Sequence, residues 1–299
     1  MHIDPLIVVF GLGVGVLVGM TGIGGGSLMT PMLILVFGVQ PVTAIGTDLA
    51  YGAVTKTLGG WRHWRQGTVD LSISTWMALG SVPAAVLGVV ALKTLQRGDK
   101  QSFDDIVLIA VAAALVLCGI TMLARRLLSS SIDSERAHVE LTRGQKAAAV
   151  AFGLTIGFVL GVTSAGSGSL ITVALILVFR ITPRRVVGTD VFHAAILLWA
   201  AALAHLVAGD IDYGLAATIL IGSLPGVWIG SALTSRVPVA ALRTSLGLLL
   251  IGAGLALIQK AGAGVPIPLI AAFPLGVATL LAAAQLRART HSSPRPAKP

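Results

Sequence analysis

Apolar residues fill the chain in eleven runs, and polar residues are mostly confined to the short stretches between them. The runs cover 5–20, 27–38, 42–60, 70–92, 105–127, 145–163, 169–180, 184–207, 213–234, 238–259 and 264–286. A helix needs about 20 residues to cross about 30 Å of hydrocarbon, and most of the runs reach that length. The runs 27–38 and 169–180 hold twelve residues each. At about 1.5 Å per residue they span roughly 18 Å and fall short. The pattern predicts an all-α, polytopic helical membrane protein in which two helices are interrupted or re-entrant.

Composition agrees. Of 299 residues 55% are hydrophobic and 11% charged, against about 25% charged in a soluble domain, so an ordinary soluble enzyme is excluded. The net charge of +9 reads as membrane topology and not as a nucleic-acid partner, because basic residues collect in cytoplasmic loops. With the C-terminal tail cytoplasmic and each run reversing direction, 17 of the 21 Lys and Arg fall inside. Lys93, Arg97, Lys100 and Lys260 fall outside. A single cysteine, Cys118, excludes an internal disulfide and a cysteine metal cluster, and no metal or cofactor is expected. No cleavable signal pattern precedes the first run, which starts at Leu6 without a basic residue before it.

Self-comparison adds an internal repeat. A shift of 142 residues aligns 10–88 on 152–230 without a gap, and 28 of the 79 positions are identical. Five runs precede the second copy, an odd number, so the copies should enter the membrane from opposite sides. The loop with Arg62 and Arg65 is basic, whereas its counterpart 204–207 is uncharged and leads into Asp210 and Asp212. This predicts a first repeat at 1–142, an inverted second repeat at 143–260, and an additional helix with a basic disordered tail at 261–299. Inverted repeats with interrupted helices characterise secondary transporters, with the substrate site near the midplane. They also occur in channels.

Each copy carries a glycine-rich turn before its short run: Gly24, Gly25, Gly26 and Ser27 in one, Gly166, Ser167, Gly168 and Ser169 in the other. Glycine lets a backbone turn sharply and approach a ligand closely. The first N–H groups of the following helix lack intrahelical partners and carry the positive dipole end, a natural anion site. Ser27, Ser167 and Ser169 either cap these helices or offer hydroxyls to a ligand. The sharp expectation is that both turns clamp one small anion; the bland one is two ordinary turns.

Thr47 and Asp48, repeated as Thr189 and Asp190, follow in the next runs. An ionisable group inside a spanning helix is a functional candidate by default. The carboxylates either carry a coupling proton or order the glycine turns by accepting their N–H groups. Lys56, replaced by Leu198 in the second copy, balances Asp48, attracts substrate, or snorkels to the cytoplasmic edge, the reading we prefer. His193 stands in place of Tyr51 and either titrates near neutral pH or packs through hydrogen bonds, again the preferred reading. His63 and His205 receive no role beyond the repeat. The series Gly11, Gly15, Gly19 and Gly153, Gly157, Gly161 permits close helix packing.

The pattern G-x-G-G-G-x-L-x-x-P at 22–31, followed by G-T-D-L-x-Y-x-x-x-T-K at 46–56, resembles the sulfite exporter TauE/SafE family, also called the toluene sulfonate uptake permease family. The likeness covers roughly 5–260. It implies a transporter of the bacterial inner membrane that moves sulfite, thiosulfate or an organosulfonate, in either direction. The second copy departs from the first motif and lacks the later proline, which implies an asymmetric site. The expected partners are a small sulfur-containing anion, the lipid bilayer and protons, with no nucleic acid, in a monomer or homodimer. Two other classes remain beside a secondary transporter: a passive anion channel, and an intramembrane hydrolase using Ser167 with His193 or His205. Against the latter, the segment 165–168 lacks the glycine two residues before serine that a nucleophile elbow needs.

Overall fold

The computed structural model describes residues 4–21, 26–128, 141–233 and 239–262. Gly24, Gly25, the run 264–286 and the basic tail lie outside these residues. The order is α1 (Pro5–Thr21), α2 (Gly26–Leu35), α3 (Pro41–Arg65), α4 (Leu71–Leu95), α5 (Lys100–Leu128) and α6 (Arg143–Thr163). Then follow α7 (Leu170–Ala174), a π-helical turn (Leu175–Phe179), α8 (Pro183–Ala208), α9 (Tyr213–Leu233) and α10 (Val239–Lys260).

Local chemistry sets the helix ends. Pro41 and Pro183 begin α3 and α8, where the missing N–H costs nothing. Asp70 caps α4 by accepting from the Ile73 N–H at 3.2 Å, and Thr142 with Gln145 forms a capping box on α6. Among the described residues five helices, α4, α5, α6, α8 and α9, contain segments long and apolar enough to cross a membrane. Their outer faces carry exposed apolar side chains such as Val90, Ile109, Phe158 and Trp228, as a lipid-facing surface requires. α3 is long but ends in Trp61, Arg62, Trp64 and Arg65, with Arg65 stacked over the Trp61 ring at 5.2 Å. Such basic and aromatic residues suit a membrane–water boundary.

The two halves exchange helices. α1 packs along α9, and α4 along α6, while α3 crosses α8 and α5 pairs with α10. Each of the first two pairs interlocks backbone on backbone. A Cβ at Gly11, Gly15 or Gly19 would overlap the carbonyls of Ile219, Ser223 and Val227; one at Gly153, Gly157 or Gly161 would overlap those of Met77, Ser81 and Ala85. These six contacts are related one to one by the shift of 142. The reciprocal contacts hold too: Gly80 lies on the Val150 carbonyl and Gly222 on that of Val8.

The pentapeptide Leu-Ile-Leu-Val-Phe occurs in both copies with different structure. At 33–37 the α-helix stops after Leu35, and at 175–179 the same five residues form the π-helical turn. Tertiary context overrides local sequence here. Lys260 donates to the Ile34 carbonyl at 2.7 Å and so ties α10 to the end of α2.

Candidate functional site

The second glycine turn is built by two left-handed residues. Ser164, with φ 60°, ends α6, and its N–H reaches the Leu160 carbonyl at 2.7 Å. Gly166 has φ 109°, where any Cβ would also strike Leu170. This turn meets the start of α2: the Gly166 N–H donates to Ser27 Oγ at 3.5 Å. The start of the first short helix and the second turn are thus neighbours, and Ser27, Ser167 and Ser169 are all buried. Ser169 precedes α7 without a side-chain capping bond, so the capping role expected of it is absent. Ser167 Oγ is buried with no hydrogen-bond partner, and the Ser169 and Ser27 hydroxyls lie against the buried Cys118 thiol.

Asp48, fully buried, joins the copies. Its Oδ2 accepts from Thr30 Oγ1 on α2 at 2.6 Å and from Ser164 Oγ at 2.7 Å. Asp190 Oδ2 accepts from Thr172 Oγ1 at 2.9 Å, the same pairing 142 residues on. The described partners of Asp48 are the Thr30 and Ser164 hydroxyls and the Thr30 backbone, and that of Asp190 is the Thr172 hydroxyl. Thr47 Oγ1 accepts from the Asp212 N–H at 3.0 Å, and Thr189 Oγ1 from the Asp70 N–H at 2.8 Å. Each threonine therefore pins the loop that opens the other copy's helix. Tyr51 and His193 are fully buried, and His193 Nε2 lies 3.3 Å from Ser81 Oγ. Neither His193 nor His205 is hydrogen-bonded to Ser167, whose hydroxyl has no partner. The serine–histidine arrangement of a hydrolase is not formed.

Equivalent positions at the two ends of the bundle are occupied differently. At one end a cavity of about 410 Å³ is bordered by Gly19, Thr55, Lys56, Gly59, Arg62, His63, Gln66, Ser231 and three valines. Lys56 is 7% exposed, and its Nζ has no hydrogen-bond partner. It is buried against the cavity instead of extending to the water. His63 Nδ1 lies 3.0 Å from Thr68 Oγ1.

At the other end His205 is fully buried. Its Nδ1 lies 3.0 Å from Asp210 Oδ2 and its Nε2 3.0 Å from the Gly161 carbonyl. Lys93 donates to the other Asp210 oxygen at 2.7 Å. Burial pushes the Asp210 carboxyl up, but the hydrogen bonds and charges of His205 and Lys93 outweigh it and hold the group below its ordinary value. Sequence reasoning passed over His205. The available signal was Lys93 and Asp210 on the same side of the charge map, with a repeated histidine between apolar neighbours.

The profile of the family described as "Sulfite exporter TauE/SafE" matches residues 7–257. A protein of Bacillus subtilis (strain 168) named "Probable membrane transporter protein YjnA" is 38% identical over 84% of this chain and 98% of its own length. "Probable membrane transporter protein YdhB" of the same organism is 28% identical, covering 82% of this chain and 96% of its own. A "Probable membrane transporter protein" of Xylella fastidiosa (strain Temecula1 / ATCC 700964) is 25% identical over 88% of this chain and 98% of its own. No solved structure matches. The chain belongs to the sulfite exporter TauE/SafE family, whose members are membrane transporters and not enzymes.

Proposed function

We propose that this protein is a secondary transporter that moves a small sulfur-containing anion across the bacterial inner membrane. The anion is sulfite, thiosulfate or an organosulfonate, and it is held between the glycine turns at 22–27 and 164–169. The observation that carries the reading is the junction at Asp48. One carboxylate oxygen binds Thr30 on the first short helix and Ser164 on the opposite turn, so the short helix of one copy and the turn of the other meet at one point. In the same turn the Ser167 hydroxyl is buried without a partner. An unpaired buried hydroxyl costs about 1–3 kcal/mol, a cost that a bound oxyanion would relieve. A sulfonate presents three acceptor oxygens and one spread charge, which suits hydroxyls and N–H groups.

In this reading the copies at 1–142 and 143–260 are inverted repeats, and 27–38 and 169–180 are re-entrant. The one-to-one exchange of glycine contacts supports it, as does the ten-residue length of α2. The C-terminus is cytoplasmic by the charge distribution. Asp48 and Asp190 are the proton carriers, and the repeats alternate access by rocking about the turns.

Reconstitution in proteoliposomes tests this. Labelled sulfite, thiosulfate, isethionate and 4-toluenesulfonate would be offered with and without a pH gradient, with acetate, phosphate and chloride as controls. One sulfur anion should accumulate above equilibrium, and Asp48→Asn should abolish accumulation while retaining binding. Flux that only runs downhill and ignores the pH gradient would make the protein a channel. If no sulfur anion moves, the substrate class is wrong.

A further inference from the structure

We propose that the cavity at the Arg62 end, whose lining includes neither Asp48 nor any residue of the turn at 164–169, is a second anion-binding site in which Lys56 is the central ligand for a small singly charged oxyanion or sulfonate. The proposal takes the anion's class from the transport reading, but its charge and place come from residues that reading does not use.

The first observation is Lys56 itself. It lies on α3, well inside the fold, 7% exposed, and Nζ has no hydrogen-bond partner. A buried ammonium without a partner is costly and is tolerated where a counter-ion or water completes its shell. The second observation is the wall around it. Arg62 and His63 line the same cavity, and no Asp or Glu does. Lys56, Arg62 and Arg184 all act electrostatically on His63, so a fourth basic residue stands near. The carboxylate that acts on Lys56 is Asp190, one negative charge against several positive ones. Such a one-signed recess with low-dielectric walls concentrates counter-ions.

The third observation is that the site is one-sided. The second copy has Leu198 at the Lys56 position, 2% exposed, and there His205 closes directly on the Gly161 carbonyl. Space is not limiting at the Arg62 end: water occupies about 30 Å³ in the liquid, so a cavity of about 410 Å³ takes a sulfonate together with several waters.

A thiol placed in the cavity reads its charge without reference to transport. Ser231 lines the cavity and is exposed. In the full-length protein, Ser231→Cys would be combined with Cys118→Ala to remove the native thiol. The double variant would then be treated with sulfonatoethyl methanethiosulfonate, an anion, or with its trimethylammonium analogue, a cation. With each rate normalised to a small free thiol, the anionic reagent should be favoured by about tenfold. Isethionate should slow it competitively. Lys56→Leu, the residue of the second copy, should remove the preference and the protection, and Lys56→Arg should keep both. Equal rates for the two reagents, no protection by isethionate, or an unchanged preference in Lys56→Leu would each overturn the site. The outcome is independent of the flux assay. A charged, protectable cavity in a protein that moves no sulfur anion would leave this site standing and remove the substrate class instead.

Discussion

The two ends of the bundle are built on the same positions and finished differently. At one end His205, Asp210, Lys93 and the Gly161 carbonyl form a continuous charged knot that joins α4, α6 and the α8–α9 loop. At the other, His63 stands for His205, Thr68 for Asp210 and Gly19 for Gly161. There His63 pairs with a hydroxyl, and Gly19 and His63 both border an open cavity. The lesson is that a duplicated frame acquires a closed end and an open end through a few substitutions in its loops. Asp in place of Thr supplies the charge, and Lys93 completes it. The two remaining far-side groups with described partners tell the same story: Lys93 and Lys260 are both held, one by a carboxylate and one by a carbonyl, whereas Lys56 is not.

The largest effect should come from the frame that both ends share. Gly15→Leu and Gly157→Leu each drive a side chain into a facing backbone, and each should cost more than about 3 kcal/mol. Loss of monodisperse protein in size-exclusion chromatography is expected for both, to the same extent. Gly13→Leu, with nothing within 4 Å of its Cβ, should behave as the parent. Unequal damage from the matched pair would break the equivalence of the two halves.

A smaller loss, about 1–3 kcal/mol, is expected for Asp210→Asn, which leaves Lys93 and the His205 ring without their carboxylate. Thr68→Ala at the open end should cost less than about 1 kcal/mol. Melting temperatures of the two variants measure the difference, and equal shifts would remove the knot as the distinction between the ends.

The smallest effect is in pH. Asp210 is held below its ordinary value by His205 and Lys93, so its contribution to stability is complete above the usual carboxylate range near 4. That contribution fades as the pH falls through the lower folded value. The gap in melting temperature between parent and Asp210→Asn should therefore narrow on acidification below about pH 4. A gap that stays constant would mean that the carboxyl is not held down.

Much of this was legible in the chain. The run 42–60 became Pro41–Arg65 and the run 184–207 became Pro183–Ala208, because prolines mark the starts and Gly67 and Gly209, both with positive φ, mark the ends. The glycine series announced close packing, but small residues every four positions do not say which helix they face. That α1 meets α9, from the other copy, depends on three-dimensional placement. The Thr30–Asp48 bond was readable in principle, since Thr30 and Thr172 are identical in the repeat and each lies 18 residues before its aspartate. The π-helical turn was not, since the same five residues stop differently at 33–37. Lys56 illustrates the limit most clearly: a lysine near a helix end usually reaches for water, and only the packed neighbours decide that it turns inward.

Where the glycine pairs bring carbonyl against Cα, there is no layer of side chains on which one helix can slip over the other. α1 with α9, and α4 with α6, are therefore stiff beams, each laminated from both halves of the chain. The contact of α3 with α8 is mixed: Gly59 and Gly52 meet the side chains of Val191 and Leu198, and Gly60 alone lies on backbone, at the Phe192 Cα. Asp48 and Asp190 sit on these two helices. The pair of helices held largely through side chains is thus the pair that carries the central carboxylates.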